Sequence, residues 1–113
     1  MSPLALHVYR RLIHRARSSQ PSITYGELAQ QVGDLHPRSP LLHAALGEVS
    51  NACRHSALPC LPAIVWRASA KRPSTGYYAV AHPRAHTAEA QLAAWQREHA
   101  RVLREIARFP PRL

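Results

Sequence analysis

The stretch from Ile23 to Gly47, I-T-Y-G-E-L-A-Q-Q-V-G-D-L-H-P-R-S-P-L-L-H-A-A-L-G, constrains the fold of this chain more than any other. Thr24 and Glu27 have the T-x-x-E spacing of a capping box, in which the Thr hydroxyl accepts the N3 amide and the Glu side chain reaches back to the cap. Ile23 and Leu28 then fall at N′ and N4, the spacing of a hydrophobic staple, so the entry angle of this helix is specified locally. The helix runs from about Tyr25 to Val32 and stops at Gly33, a residue suited to the left-handed C′ position. After a loop from Asp34, Ser39 as N-cap and Pro40 at N1 start the next helix. Leu42, Leu46, Val49 and Cys53, at i, i+4, i+7 and i+11, give that helix one buried face. The opposite face presents His43, Glu48, Ser50, Asn51 and Arg54, with Arg38 just ahead of its N-terminus. Two short helices joined by a tight, proline-marked turn are the expectation.

The flanking segments complete an architecture. Pro3 to Ser18 reads as a first helix, with Leu4, Val8, Tyr9, Leu12, Ile13 and Ala16 on an apolar stripe. Arg10, Arg11, Arg15 and Arg17 gather toward its C-terminal half, where the helix dipole favours cations. Downstream, Pro59 and Pro62 forbid continuation of a helix, and Leu61 to Ala68 has the β-branched and aromatic content of a strand. A polar loop, Ser69 to Thr75, leads through Gly76 to a second short strand, Tyr77 to Val80, on which Tyr77 and Tyr78 would face opposite sides. Thr87 caps a last helix to about Arg108, with Leu92, Trp95, Val102, Leu103 and Ile106 inward. At some twenty residues it is about 30 Å long, comparable with the domain itself, and long enough to overhang and touch a second copy as a homodimer. The expected fold is α+β and mostly helical: a winged helix-turn-helix of three helices plus a β-hairpin wing over 1–86, with an added long C-terminal helix, 87–113, packed on the same single domain.

Composition narrows the functional classes. A chain of 113 residues fits one domain. No apolar run approaches the roughly 18 residues of a membrane helix, and Met1 to Ile13 carries charge and histidine where the apolar part of a secretion signal would lie, so a cytoplasmic location and no membrane partner are expected. Fifteen Lys and Arg against six Asp and Glu leave a net charge of +9, and fourteen of the fifteen cations are arginine. Such an excess points to an anionic partner, because the guanidinium fork grips phosphate or carboxylate and never loses its charge. Cys53, His55 and Cys60 lie close together, but no fourth ligand has zinc-site spacing, and Pro83 separates His82 from His86; neither metal nor cofactor is expected. Cys53 and Cys60 read as reduced thiols. Six acids supply no paired-carboxylate site and no Ser-His-Asp arrangement, and the chain has no Gly-rich phosphate loop. Trp66 and Trp95 offer either base-stacking platforms or core anchors, and core is the expectation for both.

Five segments carry a family resemblance: I-T-Y-G-E-L-A-Q-Q-V-G at 23–33, A-L-G at 45–47, L-P-C at 58–60, A-I-V at 63–65 and G-Y at 76–77. Together they resemble the DNA-binding domain of O6-alkylguanine-DNA alkyltransferases and the alkyltransferase-like proteins, over roughly Ile23 to Tyr78. The resemblance implies a helix-turn-helix that approaches DNA from the minor groove, flips a damaged base into a pocket and, in the enzymes, moves its alkyl group to a cysteine in a P-C-H-R motif. Tyr25 matches the family tyrosine beside the flipped nucleotide's phosphate, and Asn51 falls near the hinge asparagine. Pro59-Cys60 matches the P-C pair after a one-residue shift, but Leu61 and Pro62 stand where the family has His and Arg, and Ala44 stands in place of the finger arginine. A nucleophilic cysteine needs a depressed pKa and a base or cation beside it, which two apolar neighbours do not provide.

The expectation is therefore a small non-enzymatic nucleic-acid-binding protein, DNA first. Tyr25, Arg38, Ser39, His43, Asn51 and Arg54 would serve at the helix-turn-helix, and Arg67, Lys71 and Arg72 at the wing, with phosphate contacts dominating. The alternative is an interaction module or inhibitor, phage or defence related, that docks its positive surface on an acidic protein. Alkyl transfer to Cys60 comes last.

Overall fold

In the computed structural model, which describes residues 1–113, the first helix begins where Ser2 Oγ accepts the Ala5 amide at 3.1 Å, with Pro3 at the first helical position. This helix, α1 (Pro3–Ala16), buries Ala5, Val8, Tyr9, Leu12, Ile13 and Ala16 and packs on both helices that follow. The Tyr9 hydroxyl donates to the Pro110 carbonyl at 2.6 Å, so the C-terminal tail is tied to α1.

The capping box forms as read. Thr24 Oγ1 accepts the Glu27 amide at 3.1 Å, Glu27 Oε1 accepts the Thr24 amide at 3.4 Å, and Ile23 and Leu28 are both fully buried. Helix α2 (Tyr25–Gly33) ends one residue differently from expectation: the left-handed residue is Asp34, at φ 55°, a conformation that Asp tolerates through its short polar side chain. Helix α3 (Pro40–His55) starts with Ser39 as N-cap and Pro40 at N1, although the Ser39 side chain makes no cap bond. Leu42, Leu46, Val49 and Cys53 are buried as the spacing predicts. Ser50 is not on the open face assigned to it: it is 6% exposed and accepts the Cys60 thiol proton at 3.2 Å, so its hydroxyl is satisfied inside the protein.

The β-hairpin expected over 61–80 does not form. Leu61–Ile64 is a 3-10 turn, only Val65–Trp66 is extended (β2), and this strand pairs in parallel with β1 (Ile23–Thr24), Ile23 opposite Val65 and Thr24 opposite Trp66. The following loop closes on itself at one antiparallel bridge. The Arg67 amide donates to the Arg72 carbonyl at 2.8 Å and the Lys71 amide to the Arg67 carbonyl at 2.8 Å, with Lys71 left-handed at φ 51°. Pro73 has no N–H with which to extend that ladder. The chain instead turns into helix α4 (Thr75–Ala81), in which Tyr77 and Tyr78 are both buried rather than alternating. Five helices and a two-stranded parallel sheet are the result: mostly helical, without a hairpin wing.

Thr87 Oγ1 accepts the Ala90 amide at 3.0 Å and starts α5 (Ala88–Glu105), which buries Trp95 and Val102 and packs along the 3-10 turn at 61–64. The Trp95 indole N–H donates to the Ala63 carbonyl at 2.8 Å, which satisfies both groups inside the core. The longest extent of the molecule is 33 Å, so α5 runs across most of it. No helix is long and apolar enough to cross a membrane.

Candidate nucleic-acid interface

The start of α2, the first turns of α3 and the loop at 67–74 meet at a cleft of about 570 Å³, lined by Thr24, Tyr25, Arg38, His43, Arg67 and Ser74 among others. Tyr25 forms its floor at 7% exposure. Its ring stacks on His43, with centroids 5.2 Å apart and planes 23° from parallel. Its hydroxyl accepts the Ser74 amide at 3.0 Å and shares a proton with Ser74 Oγ at 3.1 Å, which fixes the N-terminus of α4 against α2. His43 Nε2 lies 2.9 Å from the Pro37 carbonyl. A carbonyl only accepts, so Nε2 carries the proton and Nδ1 is the acceptor when the ring is neutral.

Behind the stacked rings is a second cavity of about 340 Å³, lined by Leu46, Gly47, Ser50, Pro62, Tyr77 and Val80 together with Tyr25, His43 and Ser74. The Tyr25–His43 pair is therefore the partition between an arginine-edged cleft and a more apolar interior. Cavities of this size fall in the range that holds small organic groups, and a few convergent polar atoms at the mouth supply orientation.

Four of the sequence-predicted residues converge here: Tyr25, Arg38, His43 and Arg67. Ser39 follows Arg38 at the N-cap, and Lys71 and Arg72 are exposed on the loop that forms one wall. Asn51 and Arg54 lie on the distal half of α3, where Asn51 is exposed and the Arg54 guanidinium donates to the Val80 carbonyl, outside the cleft. Two residues escaped the sequence reading. Ser74 is the anchor of Tyr25; a Ser ahead of Thr-Gly-Tyr-Tyr is an N-cap signal, legible only to a reader expecting a helix there. Leu41, on the first turn of α3, is 65% exposed beside Arg38 and Ser39, an apolar side chain with no burial to account for it.

Cys60 sits elsewhere. It is 7% exposed, its thiol donates to Ser50 Oγ at 3.2 Å, and its amide donates to Glu98 Oε2 at 3.2 Å. Burial pushes the thiol up to about 12, against a partial offset from the Ser50 hydrogen bond. Cys60 opens toward a separate cavity of about 370 Å³ with Arg54, Glu98 and Arg101, not toward Tyr25. Cys53, also buried, is pushed up to about 11, and both cysteines are free thiols. No group of three His, Cys, Asp or Glu side chains converges to hold a metal ion.

Trp66 and Trp95 are both used in packing. Trp66 meets Trp95 edge-on, with centroids 6.5 Å apart, and lies parallel to His99 at 6.5 Å and 6°. His99 Nε2 is 3.2 Å from Ser22 Oγ, and burial holds this imidazole below its ordinary pKa. The trio binds α5 to the β1–β2 edge.

Comparison of the chain with protein-family models, with curated proteins and with solved structures finds no match.

Proposed function

We propose that this chain is a small, non-enzymatic DNA-binding protein that grips phosphates in the cleft edged by Arg38 and Arg67. The observation that carries the reading is the convergence of Tyr25, Arg38, His43 and Arg67 on one cleft, in a chain with a net charge of +9. Arginine forks at the rim suit phosphate oxygens, and the N-terminal turns of the second helix of a helix-turn-helix are the part that such proteins bring to DNA. The order α1, α2, α3 supports a winged-helix variety in which the closed loop at 67–72 stands in for the wing.

The same geometry supports the alkyltransferase-like reading. In it, the interior cavity receives an extruded base and the Tyr25–His43 pair forms its wall. Because Ser74 already engages the Tyr25 hydroxyl, the grip on the flanking phosphate belongs to Arg38 and Arg67 more than to the tyrosine. Alkyl transfer finds no support. The Cys60 thiol is protonated near neutral pH and lies toward a different cavity.

Fluorescence anisotropy with labelled duplex and single-stranded DNA across a salt series tests the reading. Wild-type affinity should fall linearly in log K against log salt, and Arg38→Ala with Arg67→Ala should lower the duplex slope by about two, since each phosphate contact contributes about 0.9. Absence of binding to either form at low salt refutes the reading. Nuclease-resistant retention of an acidic protein in its place would assign the charge to a protein partner.

A further inference from the structure

The cations of this chain fall into more than one group, and a second group is as exposed as the first. Arg15, Arg101 and Arg108 are engaged with carboxylates. Arg54, Arg84 and Arg97 make no ion pair, and all three line a shallow cavity of about 510 Å³ at the C-terminal end of α4, where it turns into α5. The floor of this cavity is Ala81, Ala85, Ala90 and Ala94, too short to screen the guanidinium groups around them. His82 lies at the rim and is half-buried, with its imidazole held below its ordinary pKa by burial, so it adds a neutral polar edge rather than a further charge near pH 7. On α5, Glu98 is already committed to Arg101 and to the Cys60 amide, and Glu89, beside Ala90, is exposed, pairs with none of the three arginines and does not line the cavity.

This surface is joined to the cleft by α4. Gly76, Tyr77, Ala79 and Val80 of that helix line the interior cavity behind Tyr25 and His43, while Ala81, at its end, lines the second surface. Arg54 bridges the two, because its guanidinium donates to the Val80 carbonyl while its side chain lines the second cavity. Three arginines without a carboxylate partner, over an alanine floor, favour a ligand that brings several fixed anionic oxygens at once and has little bulk between them.

We propose that Arg54, Arg84 and Arg97 form a second phosphate-binding surface that holds the backbone of the same DNA whose other phosphates lie in the Arg38–Arg67 cleft. The proposal rests on the DNA-binding reading. Its geometry has a bound: the protein is 33 Å in its longest extent, and a duplex turn is about 34–36 Å, so a duplex that reaches both surfaces spans at most about one turn.

The test measures anisotropy of Arg84→Ala with Arg97→Ala, two exposed positions, on a long duplex of about 16 bp across salt. On this duplex the slope of log K against log salt should fall by about two and affinity by at least about tenfold near 0.1 M salt. The Arg84→Lys, Arg97→Lys pair, which keeps the charge, should retain most of the slope, and matching melting curves for the variants exclude a folding defect. If the alanine pair binds the long duplex as wild type does while Arg38→Ala with Arg67→Ala weakens it, the second surface is refuted and the cleft stands. If wild type binds neither duplex nor single-stranded DNA, both proposals fall. If the alanine pair loses poly-glutamate binding but not DNA binding, the surface belongs to an acidic polypeptide and the proposal is overturned.

Discussion

Replacing Tyr25 by Phe isolates the bond that holds the cleft in shape. The ring, its burial and its stacking on His43 are all preserved; what goes is the hydroxyl that accepts the Ser74 amide at 3.0 Å and exchanges a hydrogen bond with Ser74 Oγ at 3.1 Å. Ser74 makes no side-chain cap bond to α4, so the tyrosine is its tie to the rest of the protein. A neutral hydrogen bond contributes about 1 kcal/mol net, and stranding a part-buried amide costs about 1–3 kcal/mol. Ser74 is only half-buried and water can reach part of the amide, which places the expected loss at about 1–2 kcal/mol. For a domain of this length that is a fall in melting temperature of about 4–10 °C. Circular dichroism melts and guanidinium titrations give the stability change, and amide hydrogen exchange locates it: protection should drop at Ser74 and through the first turn of α4, while α1 keeps wild-type protection. On the proposed DNA-binding reading, affinity should fall modestly with the salt slope unchanged, because the proposed phosphate contacts, Arg38 and Arg67, are retained. A variant within about 0.3 kcal/mol of wild type, with the Ser74 amide still protected, would refute the reasoning.

Two further outcomes follow from the buried titratable groups. Burial holds His82 and His99 below the ordinary histidine value of 6.5, so the unfolded chain takes up protons that the folded protein refuses. Stability is therefore full above that value and is lost as pH falls through it toward the folded-state pKa; melting temperatures at about pH 7.5 and about pH 5 should show the drop, and His99→Asn should shrink it. A fall of equal size in that variant would dismiss His99 as a source. The Cys60 thiol, pushed up to about 12 from an ordinary 9.0, should hold about a thousandfold less thiolate than a free cysteine near pH 8. Native protein should therefore resist a disulfide-exchange reagent until guanidinium exposes both thiols together, and rapid modification of Cys60 in the folded state would reopen nucleophilic chemistry.

What could be read from the sequence was whatever is specified within one or two helical turns. The Thr24–Glu27 box, the Thr87 cap and the stripes of α1 and α3 appear as read, α3 starts at Ser39–Pro40 though without a Ser39 cap bond, and the α5 stripe packs inward with Trp95 and Val102 buried and Leu92, Leu103 and Ile106 partly so, because each depends on hydrogen bonds or periodicities internal to its own segment. The segment from Leu61 to Val80 was misread for the opposite reason. Its β-branched and aromatic residues fit a pleated surface only if a partner strand is available, and strand preference is largely a measure of such neighbours. β2 takes its partner from Ile23–Thr24, far upstream, and Pro73 denies the loop a second rung, so Tyr77 and Tyr78 reach the core as a helix. The face of Ser50 was decided in the same way, by a thiol ten residues on that approaches only after the chain has turned. Of the candidate site, sequence supplied the residue types and the charge. Which of them share a cleft, and that Ser74 holds Tyr25 in place, was decided by tertiary structure, because contacts across 49 residues of chain depend on how the helices pack and leave no local pattern to read.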